Sequence, residues 1–300
     1  MRLTFRRIAW LIVVLGPLVV QAQPDTLETG RRGGRVALVS GACVGITAGA
    51  WVALDQAWYD GYERIGLHSF NDGGEWLGMD KAGHMWSAYN GGRWGHAMLR
   101  WSGVDERRST LLGGSMGFVF LTGVEMLDGY SSGWGFSWWD MSANTAGAGL
   151  FIGQQLGWKE QRITMKLSAH HTPFAAERPT LLGTGGAERL LKDYNGQTIW
   201  LSSNLHAFGV GGERFPKWLN VAIGYGAENM VGGEPNAREE TDAYGPRYAQ
   251  VLLSVDVDLT RIRSKSPVVR TLLFLANSIK IPAPTLEFRG DRVLVHGFYF

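Results

Sequence analysis

Hydrophobic and polar positions along this chain follow two periods, one in each half. Val36 to Leu54 runs without a charged residue. It is long enough to cross a bilayer as a helix. Its Gly, Ala and Ser content suits close packing against other helices. Asp55, Asp60 and Glu63 follow it on a polar side. Met79 to Trp101 reads as a helix of mixed character, with a bend expected at Gly91-Gly92. Arg107 and Arg108 precede a cleaner apolar stretch, Leu111 to Val124, which ends in Glu125 and Asp128. Gly129 to Gly135 reads as a loop. Ser137 can cap a fourth helix, roughly Trp138 to Leu156. Four helical segments on short loops predict a compact bundle in or on a membrane.

After Lys159 the period changes to two. Arg162 to Ser168, Thr198 to Leu205, Leu219 to Tyr225, Val251 to Leu259 and Val293 to Phe300 are strand candidates. In Val255-Asp256-Val257-Asp258-Leu259 the carboxylates fall on one face and the apolar groups on the other. Val268 to Ile279 reads as a further helix, stopped before Pro282 and Pro284. The fold class is therefore α+β. An N-terminal membrane-associated helical bundle of about four helices occupies residues 36–158, and a β-rich antiparallel region occupies residues 159–300. Leu294, His296, Phe298 and Phe300 alternate toward a terminal Phe, a layout similar to the last strand of outer-membrane barrels. Five or six strands fall below the roughly eight of the smallest such barrels. A smaller antiparallel sheet, partly curled, is expected.

The N-terminus adds a location. Arg2, Arg6 and Arg7 precede the apolar run Ile8 to Val20, and Val20-Gln21-Ala22 resembles a small-residue cleavage site. Residues 1–22 thus read as a signal peptide, with maturation near Gln23, and residues 23–35 as a polar linker. The chain is expected to be exported to a bacterial-type cell envelope and to associate with a membrane.

Composition excludes some classes. With 29 Lys and Arg against 27 Asp and Glu there is no basic field for nucleic acid. Cys43 is the only cysteine, so neither an internal disulfide nor a cysteine zinc site is possible. No Gly-x-Ser-x-Gly nucleophile motif and no HExxH metal motif occurs. The 42 Gly and 13 Trp suit close helix packing and membrane interfaces.

One polar constellation stands out from the apolar helices: Asp80-Lys81-x-x-His84, Glu125-x-x-Asp128-Gly129, and Asp140-x-x-x-Asn144-x-x-Gly147. Helical neighbours lie three and four residues apart, so each set shares a face. Polar groups facing lipid are costly, so the three sets should converge. His84 beside carboxylates can carry protons, with Asp140 or Glu125 orienting it. His84, Glu125, Asp128 and Asp140 can alternatively ligate a divalent cation. Asp80, Lys81, Asp128 and Asn144 form the accompanying binding set, and Lys81 is expected to keep its ammonium in water. The bland alternative is a structural network that fixes helix register. His96 is expected to be an isolated interfacial histidine, and His170-His171 to be exposed.

These motifs resemble VanZ-like membrane proteins and, more closely, the YfiM-like family of envelope lipoproteins of unknown function. In long members of that family the helical region is followed by text similar to Leu191-Lys192-Asp193-Tyr194-Asn195-Gly196-Gln197-Thr198, Phe215-Pro216-Lys217-Trp218-Leu219-Asn220, Gly224-Tyr225-Gly226-Ala227-Glu228 and Ile281-Pro282-Ala283-Pro284-Thr285. The resemblance implies an envelope location and no established activity. Two functions are expected to compete. One is a non-catalytic envelope protein whose cluster holds the bundle while the β region binds a lipid or cell-wall component. The other is a membrane-embedded enzyme or metal-dependent protein acting on a lipid-linked or cell-wall substrate.

Overall fold

The protein is α+β in a computed structural model that describes residues 33–212 and 215–300. The expected signal peptide and most of the expected linker lie outside the described residues. The described chain packs as two compact units. One comprises Met1–Asp72 (as far as it is described), Ser87–Glu160 and Ser264–Leu272; the other comprises Gly73–Trp86, Gln161–Arg263 and Leu273–Phe300.

The first unit is helical. α1 is Gly33–Trp58, longer at both ends than its charge-free stretch. α2 is Met79–Ser102, of which residues 87–102 belong to this unit. α3 is Met116–Gly129 and α4 is Trp138–Trp158. Two stretches, Gly33–Gln56 and Glu106–Gly129, are long and apolar enough to cross a membrane. α1 leaves Leu38, Val44 and Val52 exposed. It is fastened to α3 by Trp51, whose ring stacks on Phe120 at 6.4 Å and whose Nε1 donates to the Phe120 carbonyl at 3.0 Å.

The expected bend at Gly91-Gly92 is corrected: α2 runs unbroken through the pair. The glycines serve close approach instead. A Cβ on Gly91 would stand 2.7 Å from the Cα of Gly117, and one on Gly92 would stand 2.4 Å from the Gly114 carbonyl oxygen. The apolar stretch before Glu125 is not one regular helix. A single turn, Glu106–Arg108, is capped by Asp105, whose side chain accepts from the Arg108 N–H. A wider π-helical turn, Ser109–Gly113, then precedes α3. Such insertions re-aim the helix that follows. α4 begins where expected, because the Ser137 hydroxyl oxygen accepts from the Asp140 N–H at 3.0 Å.

The second unit is built on a six-stranded antiparallel sheet in simple meander order. β1 is Ile163–Ala169, β2 Gln197–Asn204, β3 Leu219–Glu228, β4 Tyr248–Val257, β5 Ala283–Arg289 and β6 Arg292–Tyr299. β5 was not expected, since Pro282 and Pro284 argue against a strand. Pro284 is tolerated because the β5–β6 ladder shifts register between Ala283 and Thr285. Pro267–Ala276 is a helix, shorter than expected. The residues after it are drawn to the edge of β1, where Leu167 N–H donates to Ser278 and Lys280 N–H donates to Leu167. That edge is thereby covered. Short helices at Phe174–Glu177, Pro179–Leu182, Gly186–Lys192 and Arg238–Tyr244 punctuate the region.

The sheet curls. Tyr299 on β6 brings its hydroxyl to 3.0 Å from that of Thr198 on β2, and its ring meets Trp200 edge-on. The alternation read from Val255 to Leu259 holds, with the carboxylates on the buried face. Asp256 is 2 % exposed and Val255 47 %. The enclosed face is mixed, with Trp200, Ala222 and Leu252 buried beside polar side chains, and the convex face is apolar and open.

Candidate acidic cluster

Glu125 and Asp128 lie one helical turn apart near the end of α3, and Asp140 lies in the first turn of α4. Ser137, the α4 cap, gathers carboxylates around itself. Its backbone N–H donates to Glu125 Oε2 at 3.1 Å. Its hydroxyl donates to Asp72 Oδ1 at 2.6 Å while accepting from the Asp140 N–H. Tyr59, just past α1, donates its hydroxyl to Asp128 Oδ1 at 2.7 Å. Asp72, Glu125 and Asp140 are buried, and so is Asn144, one turn further along α4.

Four carboxyl groups in one small buried volume cannot all ionise freely. Burial, then the charge of Asp140, pushes the Glu125 carboxyl up to about 9, against the pull of the Ser137 N–H. Burial also raises Asp128 to about 7; the Tyr59 hydrogen bond opposes this, and Asp140 and Asp72 add to it. The Tyr59 phenol is itself raised, by burial and by Asp128. At neutral pH Glu125 therefore keeps its proton. As protons leave, the cluster gains affinity for a cation.

Asp80, Lys81 and His84 stand on the first turns of α2, in residues 73–86 of the second unit. They are positioned by the turn Glu75–Gly78, in which Trp76 and Leu77 take left-handed φ values of 50° and 51°. Strain of this kind persists only when neighbours fix it. Here Trp76 N–H donates to the Gly233 carbonyl at 2.9 Å, and the Tyr225 hydroxyl donates to that of Leu77 at 2.5 Å. Lys81 does not keep its ammonium in water: its Nζ lies 2.6 Å from Asp80 Oδ2, with both side chains largely buried. His84 is half-buried, one turn on from Asp80.

His96 is not isolated. Its Nε2 lies 3.2 Å from Glu106, which also binds Arg100 at 2.9 Å and accepts from Gln155 at 2.7 Å. Burial holds its imidazole below the ordinary histidine value, against the pull of Glu106. His170 and His171 are exposed, as expected. Sequence reasoning missed Tyr59 and Asp72, which sit outside any periodic pattern. It found Ser137 as a cap without seeing that the same hydroxyl organises the acids.

An apolar, largely exposed N-terminal helix and a buried acidic cluster are the main features of the helical unit. Residues 68–152 match a family described as "Predicted periplasmic lipoprotein (DUF2279)". The matched stretch takes in Asp72, Asp80, Lys81, His84, Glu125, Asp128, Asp140 and Asn144. The chain is similar to that family there, and it is an exported, envelope-associated protein. No curated protein and no solved structure matches it.

Proposed function

We propose that this is a membrane-associated envelope protein, a long-form relative of YfiM-like proteins. Its acidic cluster takes up a divalent cation that ties the membrane-associated helices together, without catalysing a reaction. The carrying observation is the convergence of Asp72, Glu125 and Asp140 on the buried Ser137. Asp72, Glu125 and Asp140 would supply oxygen ligands, and Asp128 and Asn144 the surrounding polar shell.

The test is thermal unfolding of the detergent-purified mature chain at pH 8, with chelator and then with Mg²⁺, Ca²⁺, Mn²⁺ or Zn²⁺. A saturable stabilisation by one ion, lost in Asp140→Asn and Glu125→Gln, supports the reading. No response to any ion overturns it and leaves the cluster as a structural network.

A second reading is favoured by one observation, the Glu125 carboxyl that stays protonated at neutral pH. Such a group can act as a general acid on a lipid-linked or cell-wall substrate. Turnover of such a substrate that Glu125→Gln abolishes, with unfolding temperature unchanged, would favour it.

A further inference from the structure

The sheet has the polarity of a surface that meets lipid rather than water. Its register aligns one apolar residue from each strand in a single row: Met165, Leu201, Ile223, Leu253, Leu286 and Val295. Of these only Met165 is buried; Val295 is 77 % exposed. The neighbouring row ends in Val251, Phe288 and Val293, all exposed. No charged side chain interrupts either row. On the other face, Lys166 Nζ meets Asp256 at 2.7 Å with neither side chain exposed. Ser202 donates to the same carboxylate at 2.6 Å, and Asn220 donates to Ser202 at 2.8 Å. A half-buried antiparallel sheet in water turns its apolar side inward. Here the inner side holds this polar group beside the buried Trp200, Ala222 and Leu252, and the outer side is apolar as well, as in strands that face lipid.

The ends of the strands indicate what covers the apolar band. Arg162, Lys217, Arg261 and Arg263 gather where β1 and β3 begin and β2 and β4 end. Phe208 and Trp218 are exposed among them, and the Arg162 guanidinium lies over the Phe208 ring. Arg261 is paired there with the buried Asp258 and Glu160 lies two residues before Arg162, so the exposed cations of the rim are Lys217 and Arg263. A basic and aromatic rim bordering an uncharged apolar band complements anionic headgroups above acyl chains.

We propose that the convex face of this sheet docks into the surface of a membrane containing anionic lipid. The row from Leu201 to Val295 enters the acyl layer, and Lys217, Trp218 and Arg263 lie at headgroup level. The test uses the full mature chain carrying Cys43→Ser and one new cysteine, Ile223→Cys or Leu253→Cys, labelled with an environment-sensitive fluorophore. Asp242→Cys, on an exposed position of the same unit, is the control. Vesicles are phosphatidylcholine with or without phosphatidylglycerol, and quenchers are placed at known depth on the acyl chains.

Labels at 223 and 253 should shift to the blue and lose most of their emission to acyl-chain quenchers, while the label at 242 does neither. The effect should weaken without phosphatidylglycerol and in the Lys217→Glu, Arg263→Glu variant. Labels at 223 and 253 that stay water-exposed on bound vesicles would overturn the proposal. So would emission changes that depend on protein concentration without lipid, which would assign the face to a second copy.

Discussion

Ser137 holds Asp72, a residue 65 positions earlier, with a 2.6 Å hydrogen bond from its hydroxyl. The same hydroxyl caps α4, so one side chain ends a helix, orders a loop and fixes the geometry of the acids. Ser137→Ala should remove both contacts. A lost cap costs about 0.5–2 kcal/mol. A lost hydrogen bond to a charged group adds about 1.5–3 kcal/mol. Chemical denaturation should show a loss in this combined range, with Ser137→Thr recovering part of it.

Stability should fall as pH rises across the neutral range. The folded state raises Glu125 to about 9 and Asp128 to about 7, above their ordinary carboxylate values of 4.5 and 3.8. Between those limits the folded chain binds protons that the unfolded chain has released, so unfolding is favoured as pH increases. The stabilising contribution is complete below about pH 4 and lost as pH passes through 7 and then 9. Unfolding temperature measured from pH 5 to 9 should decline, and Glu125→Gln should flatten the upper part of the curve. A slope unchanged by that variant would show that other groups set it.

Two glycine substitutions should move stability in opposite directions. A Cβ on Gly117 would stand 2.4 Å from the Ala88 carbonyl oxygen, backbone that cannot yield cheaply. Gly117→Ala should therefore cost about 1–3 kcal/mol. Gly149, inside α4, has nothing within 4 Å of its Cβ position. Gly149→Ala should stabilise by about 0.5–1 kcal/mol through helix propensity. Denaturation midpoints of the two variants, compared with the parent, check both signs.

The buried charge group of the sheet should respond asymmetrically. Asp256 faces Lys166 at 2.7 Å and Lys280 at 3.9 Å. Asp256→Asn strands two ammonium groups in an enclosed space, whereas Lys166→Met leaves Asp256 with Lys280. Breaking a buried pair typically costs about 3–5 kcal/mol. The aspartate change should reach that range or prevent folding, the lysine change should cost less, and the far-ultraviolet strand signal will report both.

Much of this architecture is written in local pattern. The charge-free run gives α1, Ser137 gives the start of α4, and period-two alternation gives five of the six strands. β5 stayed hidden because two prolines normally forbid a strand, and only the register shift at Pro284 makes room for one. The Gly91-Gly92 pair was misread for a related reason. Locally a glycine pair weakens a helix; in the fold it lets α2 touch Gly117 and Gly114. Glu125, Asp128, Asp140 and Asn144 were legible as candidates because ionisable groups at helical spacing stand out in apolar sequence. Tyr59 and Asp72 were not, since a loop residue carries no period that says which helix end it will meet.

By itself the sequence determined the succession of helices then strands, the near-neutral charge that rules out a nucleic-acid field, and the residues able to form an acidic cluster. Those follow from periodicity, caps and residue chemistry, which act over a few positions. The tertiary structure decided which face of the sheet is inside. Alternation says only that two faces differ. The inner face packs Trp200, Ala222 and Leu252 together, and Lys166, Asp256, Ser202 and Asn220 are stable beside them because they satisfy one another. The tertiary structure likewise decided that Ser137 would gather Asp72, Glu125 and Asp140, a convergence of residues far apart in the chain that no local rule encodes.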